Sequence, residues 1–376
     1  MQCLTEQFSL LPSSIGTQRH VIVHRFGARN LGPTIYLQAG LHADEAPGMV
    51  VLHHLIQLLT ERNEEPRGEI VVVPCANPIA LSQRIQDHHA GQYDLAMGGN
   101  FNRNYPDVSE VVLERLRAFR DRGTTLDDVA IERVFADAIA ALTPKTELES
   151  LKKLLLSLAI EADYAIDLHA DYEGPVYGIV SDGTHPATDL LSRQTGCVAT
   201  MVIKQSGQSG SGTFLAGCYR PWRAASEYAG SGSVSRRLAV TLEYRGMTDV
   251  SDELASKDAE GLIRFMEGVG ILTPSGGKVP AVETLKTTTE CEDFVQANAA
   301  GVILFGKAAG DAVREGEEVA QILDPTTGER RSVFARCSGV VIGHIDSRIT
   351  TPGYTIMTIA GRSPIPGGVR DPYNLG

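Results

Sequence analysis

Residues 34–54 read Thr34-Ile-Tyr-Leu-Gln-Ala-Gly-Leu-His-Ala-Asp-Glu-Ala-Pro-Gly-Met-Val-Val-Leu-His-His54. The apolar run Ile35 to Leu37 predicts a buried strand, and the amphipathic segment from Pro47 predicts the helix that follows it. His42 and Glu45 fall in the turn between them. Open α/β sheets place their chemistry at the carboxyl ends of strands. A hydrolytic zinc takes nitrogen and oxygen ligands and keeps one position open for water, and two histidines with one glutamate form such a set. This turn offers one imidazole and one carboxylate, so a second imidazole has to come from elsewhere in the chain.

Taken alone, His42 and Glu45 are better explained as a polar turn capping a helix. The segment Ala162-Asp-Tyr-Ala-Ile-Asp-Leu-His-Ala-Asp171 adds a second strand-like run with His169 at its end. Two strand ends then carry three ligands, and the expected cofactor is one zinc ion per chain.

The totals narrow the class. At 376 residues the chain has room for a large core and more than one domain. Hydrophobic residues make up 43% and charged residues 21%, the balance of a soluble globular protein. With 46 acidic against 34 basic side chains the formal charge is −12, which disfavours nucleic acid as a partner. No apolar run approaches the ~18 residues of a membrane helix, so no membrane partner is expected. The first residues lack the basic and apolar pattern of a secretory leader. Cysteines 3, 75, 197, 218, 291 and 337 are scattered, as in a reduced compartment, and are read as structural. The expected location is the cytoplasm.

In chain order, residues 7–25 predict a hairpin: a short strand, a turn at Ser13 to Thr17, then a strand from His20 to His24. The helix after the opening motif runs to about Arg62. Glu69 to Pro74 then reads as a central strand, with too little alternation to be half exposed. Strand, helix and strand at this spacing imply a crossover in a largely parallel sheet. The fold class is therefore α/β, a mainly parallel sheet flanked by helices. Residues Asn77 to Asp107 read as a long loop without packed secondary structure, a feature that usually serves function. Leucine spacing between Ser109 and Ala162 predicts three helices on one flank, with no chemistry of their own. Val176 to Val180, Cys197 to Ile203 and Leu238 to Glu243 are candidate strands, Ser206 to Thr213 a candidate rim loop, and Asp252 to Glu267 a closing helix.

Residues 273–280, Thr-Pro-Ser-Gly-Gly-Lys-Val-Pro, have linker composition. They divide the chain into an expected catalytic domain, 1–272, and a C-terminal domain, 281–376. Beyond them, short β-runs punctuated by glycine predict a small all-β sandwich or barrel. The cadence Gly310-Asp-Ala-Val-Arg-Glu-Gly-Glu317 resembles lipoyl or biotinyl carrier domains. No lysine follows Lys307, which precedes that repeat, so a covalent carrier role is not expected.

Five motifs in order, Gly40-Leu-His-Ala-Asp-Glu45, Asn77-Pro with Arg84, Asn102-Arg103-Asn104-Tyr-Pro, Asp167-Leu-His169 and Thr241-Leu-Glu243, make the chain resemble the succinylglutamate desuccinylase and aspartoacylase family. This is a branch of the zinc carboxypeptidase-like hydrolases. The resemblance covers most of residues 30–270 and extends into the β-domain. It implies a zinc-carboxypeptidase-like catalytic fold, with His42, Glu45 and His169 as zinc ligands and Glu243 as general base and acid. Arg84 would polarise the scissile carbonyl, and Asn102 with Arg103 would hold a substrate carboxylate. About eighteen residues separate Arg84 from Arg103, more than an aspartoacylase leads one to expect.

The implied chemistry is coherent. Zinc lowers the pKa of bound water to ~7. A carboxylate such as Glu243 can take a proton from that water and pass it to the leaving amine. A guanidinium at the developing oxyanion supplies what typically amounts to ~2.7–4 kcal/mol of barrier lowering. Arg103 can grip a carboxylate through two parallel hydrogen bonds. Bland alternatives stay open: Arg103 could pair with Asp107 or another acid, Glu243 could be a buried salt-bridge partner, and Arg245 could line the pocket or be solvated. His53, His54, His88 and His89 read as helix-face or loop histidines and not as ligands.

The leading expectation is removal of an acetyl- or succinyl-like group from an N-acyl amino acid or related amine. A metallocarboxypeptidase acting on small peptides, with a more open cleft, is the alternative within the same chemistry. A zinc-binding scaffold without catalysis is the alternative outside it. A homo-oligomer assembled through the β-domain is compatible with the sequence.

Overall fold

The computed structural model describes residues 1–29, 31–123, 127–203, 212–229, 237–276 and 283–365. The chain opens with β1 (Cys3–Ser9), β2 (His20–Gly27), β3 (Thr34–Ala39), α1 (Ala46–Glu61), β4 (Glu69–Val73), α2 (Pro78–Leu81), β5 (Arg84–Ile85) and β6 (His88–His89). It continues with α3 (Ser109–Asp121), α4 (Asp128–Ala140), α5 (Glu147–Ala159), β7 (Tyr164–Asp171), β8 (Val176–Val180), α6 (Pro186–Thr195), β9 (Ala199–Val202), α7 (Phe214–Ala229), β10 (Leu238–Gly246) and α8 (Asp252–Gly268). No helix among the described residues is long and apolar enough to cross a membrane.

One nine-stranded sheet, in the order β1-β2-β4-β3-β7-β10-β8-β9, is completed by β11 (Leu285–Thr288). Strands β4, β3, β7 and β10 are mutually parallel, β8 reverses against β10, and β9 and β11 run parallel to β8. The central strands are apolar on both faces because helices cover both. Val71, Val73, Tyr36, Ala165 and Ala239 face α3, α4, α5 and α7. Ile35, Leu37, Ile166, Leu168, Val240 and Leu242 face α1, α6 and α8. After β3 the chain crosses to β4 on one side, whereas the strand beside β3 on the other is β7. The β3/β7 seam is the point of divergence at which open α/β sheets leave a crevice.

Three local readings change. Residues 77–107 are more ordered than expected: they hold α2, the β5/β6 hairpin and a bridge between Tyr93 and Asn100. The order comes from side chains bonded to backbone, which leave no periodic signature. Asn77 caps α2 at Ala80 N and donates to Leu41 O, while Gln83 donates to Ala90 O and Tyr93 O and accepts from Leu95 N. Strand β9 is shorter than Cys197–Ile203 because Cys197 N still bonds back to Ser192 O at the end of α6. Strand β10 runs past Glu243 to Gly246, with an irregularity between those residues where Arg245 takes φ +62°. Of the candidate rim loop, residues 206–211 lie outside the described residues, as do 277–280 of the expected linker.

Beyond residue 285 follow β12 (Glu292–Gln296), β13 (Gly301–Phe305), β14 (Ala312–Val313), β15 (Glu318–Leu323), β16 (Arg330–Phe334), β17 (Gly339–His344), β18 (Ile349–Thr350) and β19 (Thr355–Gly361). They form two antiparallel four-stranded sheets, β12-β19-β17-β14 and β16-β15-β13-β18, closed around Val295, Ile303, Val319, Ile322, Val341, Ile356 and Ile359. This is the expected all-β unit.

It packs on the central sheet through Tyr177, Ala199, Met201, Ile342 and Ala360. His344 N donates to Glu173 O at 2.8 Å, and Arg348 pairs with Glu173 at 2.6 Å. Two glycines set how closely β17 approaches the end of β7. A Cβ at Gly343 would lie 2.4 Å from Asp171 Oδ2, and one at Gly174 2.7 Å from Ile342 O. Gly174→Ala and Gly343→Ala are each expected to cost about 1–3 kcal/mol as overpacking, read as a lower midpoint in thermal or denaturant unfolding. An unchanged midpoint would mean that this interface yields.

Candidate active site

Strand β3 ends at Ala39, and Gly40, at φ +69°, turns the chain out of the sheet. The turn is pinned from two sides, by Asn77 Nδ2 on Leu41 O at 2.8 Å and by Ala43 N on Gly91 O at 3.2 Å. Glu45 occupies the N-cap of α1, yet its side chain makes no capping bond to that helix. The carboxylate turns instead toward β7. Glu45 Oε1 lies 2.8 Å from His42 Nδ1, and Oε2 lies 2.7 Å from His169 Nδ1 and accepts Ala170 N–H at 3.1 Å. The two imidazoles meet edge to face, 4.9 Å between centroids. One ligand atom from each of His42, Glu45 and His169 lies within 4.8 Å of the others. The three residues expected to share a metal are therefore brought together, at the β3/β7 seam. His42 keeps some solvent exposure while Glu45 and His169 are buried.

The remaining ring nitrogens reveal the charge this cluster wants. Asn100 Oδ1 accepts Asn102 N–H at 2.8 Å, so it is the oxygen of that amide, and His42 Nε2, 2.9 Å away, must donate to it. His169 Nε2 donates to Asp167 Oδ2 at 2.9 Å. Both Nδ1 lone pairs of neutral imidazoles would thus confront the oxygens of one carboxylate. The arrangement requires positive charge between them, supplied by protons or by a cation. Metal-bound histidines commonly hold their second nitrogen by such an oxygen, so the donor set fits a divalent ion.

The ionisation tendencies follow. Burial would raise the Glu45 carboxyl, but the charges and hydrogen bonds of His42 and His169 outweigh it and hold it at about 2. Burial would lower His169, but Asp167 and Glu45 raise it well above its ordinary value.

Glu243 on β10 stands directly opposite His169 on β7, in parallel register, so both side chains project from the same sheet face, one strand spacing apart. Burial pushes its carboxyl well above the usual range; His169 opposes this, while Glu45, Asp171 and Asp167 add to it. Asn102 is buried, with Oδ1 accepting Phe214 N–H at the start of α7 at 2.8 Å. Its Nδ2 lies 3.4 Å from His169 Nε2. Since that nitrogen already gives its proton to Asp167, this is a contact between two donors and not a bond. Arg103 is half-buried beside it and donates to Asn102 O, while Lys152 of α5 reaches across to Arg103 O at 2.7 Å.

Arg84 is exposed on the β5/β6 hairpin, and among the described residues it makes no hydrogen bond or ion pair to this group. Arg245 does not reach the ligands either: it pairs with Asp258. His54 pairs with Asp252, and His89 bonds Ala80 O, both away from the cluster.

Several residues of the site had no role in the sequence reading. Asn100 holds His42 from a loop without periodicity, and nothing in the sequence marked it. Asp167 could have been assigned: two residues before His169 on a strand, it must share that face. Asp171, two further on, lies there too; Tyr177 O–H donates to its Oδ2 at 3.2 Å. Burial pushes Asp171 up to about 7, against the bonds from Tyr172 and Tyr177 and with a small addition from Glu45.

The family model for the succinylglutamate desuccinylase/aspartoacylase catalytic domain matches residues 31–269. N-alpha-acetyl-L-2,4-diaminobutyric acid deacetylase of Halomonas elongata is 23% identical over 340 residues, 88% of this chain and 83% of the relative. Among solved structures, a succinylglutamate desuccinylase/aspartoacylase family protein of Shewanella amazonensis superposes with a TM-score of 0.80 at 22% identity, over 95% of this chain and 98% of the other. A similar protein of Shewanella frigidimarina gives 0.82 at 21% identity, over 96% and 97%. The matched span runs from the strand before His42 to the helix after Glu243, and the chain belongs to the succinylglutamate desuccinylase/aspartoacylase family.

Proposed function

We propose that this protein is a zinc-dependent deacylase that hydrolyses the amide of an N-acyl amino acid or related amine, with an acetyl- or succinyl-like acyl group. The observation that carries the reading is the convergence of His42 Nδ1, His169 Nδ1 and Glu45 on one point, with both Nε2 atoms held by oxygens. His42, Glu45 and His169 would hold the ion. When bound, zinc supplies a Lewis acid and a water of lowered pKa.

The chain's residues do the rest. Glu243, on the face it shares with His169, takes the proton of the attacking water and delivers it to the amine nitrogen as the C–N bond breaks. Its raised proton affinity suits that delivery, and a nearby cation shifts it back toward the charged form needed for the first transfer. Asn102 and Arg103 form the wall that meets the substrate carboxylate. Arg84, exposed on the β5/β6 hairpin, is the residue proposed to polarise the scissile carbonyl.

What supports the small-substrate reading over a carboxypeptidase is the close packing of β17 on Asp171 and Gly174, beside the end of the strand that carries His169. The Halomonas relative, named for removing acetyl from a diamino acid, makes N-acetyl amino acids the first substrates to try. The test is a metal analysis of purified protein together with turnover of N-acetyl and N-succinyl amino acids, dipeptides and longer peptides. One zinc per chain with turnover of the acyl amino acids is expected. Turnover of peptides alone would replace this reading with the carboxypeptidase one, and absence of bound metal and turnover would favour a scaffold.

A further inference from the structure

Behind His169 lies a line of hydrogen bonds that the reaction does not itself use. Tyr36 O–H donates to Gln38 Oε1 at 2.8 Å, Gln38 Nε2 donates to Asp167 Oδ1 at 2.9 Å, and Asp167 Oδ2 accepts from His169 Nε2 at 2.9 Å. Tyr36, Gln38 and Asp167 have no exposed surface. Tyr36 and Gln38 are alternate residues of β3 on the face they share with Asp167 and His169, and Gln38 and Asp167 are register partners. A polar triplet in the centre of a sheet is expensive to bury unless every group is paired in the right sense, and here the sense is dictated. An ionised carboxylate only accepts, so the amide nitrogen of Gln38 must face Asp167 and its oxygen must face Tyr36. Burial, together with the charge of Asp167, raises the Tyr36 hydroxyl well above its ordinary value, so it remains a donor.

Resting on the zinc reading above, we infer that Tyr36 and Gln38 are positioning residues that dictate which ring nitrogen of His169 faces the metal. With Asp167 held as a double acceptor, His169 keeps its proton on Nε2 and turns the Nδ1 lone pair to the point shared with His42 and Glu45. The inference is directional, so it predicts a reversal as well as a loss. In Asp167→Asn the new amide carries one oxygen and one nitrogen. Gln38, oriented by Tyr36, claims the oxygen for its own donor, and the nitrogen is left facing His169 Nε2. The histidine is forced to the tautomer protonated on Nδ1, which cannot ligate. Removing the orienting donor in Gln38→Leu/Asp167→Asn lets the new amide turn its oxygen to Nε2–H, and ligation returns.

The experiment measures zinc affinity of the metal-free protein by competition with a chromophoric chelator, alongside the thermal midpoint of each metal-free variant as a check on folding. Zinc affinity is expected to fall about 100-fold in Asp167→Asn, at the upper end of what loss of an outer partner costs, and by about 10-fold in Gln38→Leu. The double variant is expected to bind about 10-fold more tightly than Asp167→Asn alone. A residue that merely supports the sheet would make the double variant the weakest binder, and that order overturns the inference. Tyr36→Phe, which removes one hydroxyl, gives a second reading if Asp167→Asn does not fold: zinc affinity drops several-fold, and an unchanged affinity overturns the inference. A wild-type protein that takes up no zinc removes the metal reading itself and this inference with it. Zinc uptake by the wild type with the wrong order of variants removes only the inference.

Discussion

Glu243→Gln is expected to retain zinc and lose about 10²–10⁴-fold in kcat, the range associated with a positioned proton-transfer group. The substitution keeps the shape and burial of the side chain and removes only its ability to accept and return a proton. Glu243 faces His169 from the neighbouring strand, and the ligand atoms come from other residues, so the metal site should survive. Two readouts separate the proposed role from a structural one. A glutamate kept for an ion pair would, when neutralised, lower the unfolding midpoint and leave kcat per folded molecule nearly intact. A glutamate kept for proton transfer gives the opposite pattern, and relief from burying an acid could even raise the midpoint. The assay is kcat on an N-acetyl amino acid with zinc content measured on the same preparation. Wild-type turnover in the zinc-loaded variant would move the proton to another group, and Asp171, whose carboxyl is pushed up to about 7 on the same face, is the next to examine.

The parts of the site that were legible before the structure are those that follow apolar runs. His42, Glu45 and His169 each stand just beyond or at the end of a strand that reads as buried, and the rule that chemistry gathers at carboxyl ends located them without knowledge of the partner strand. Their mutual distance was not legible, because it depends on β3 and β7 being neighbours although 124 residues, with α1, β4 and the α3–α5 helices among them, intervene between the two strands. Gln38 illustrates the limit. A polar residue inside Thr34–Ala39 is visible in the sequence, but its partner Asp167 is 129 positions away and is chosen by strand register. Asn100 and the β5/β6 hairpin escaped for another reason: they are built from side-chain bonds to backbone, as at Gln83 and Asn77, which neither a period of two nor one of 3.6 records. Strand β11 was not foreseen, and nothing in Leu285–Thr288 says that it joins the central sheet at β9 and not the C-terminal sheets.

His42→Ala is expected to abolish both zinc binding and turnover while leaving a folded protein. Its consequences differ from those at Glu243 because His42 supplies a ligand atom, and losing one of three protein ligands should cost more than the ~10–100-fold typical of an outer partner. The stability effect should be modest by comparison. Removing one member of a fully buried charged pair typically costs ~3–5 kcal/mol, but Glu45 keeps His169 Nδ1 and Ala170 N–H on its other oxygen, and His42 is the ligand that retains solvent exposure. Water can enter where the imidazole stood and solvate Glu45 Oε1, and Asn100 Oδ1 still accepts Asn102 N–H. The expected record is therefore a metal-free variant, inactive at any added zinc concentration that the wild type needs for full activity, with an unfolding midpoint close to that of the wild-type protein stripped of metal. That last comparison matters, since wild type with zinc bound gains stability by mass action that the variant cannot share. Full zinc occupancy in His42→Ala would mean that the ion is held elsewhere, and the convergence of His42, Glu45 and His169 would then need another explanation.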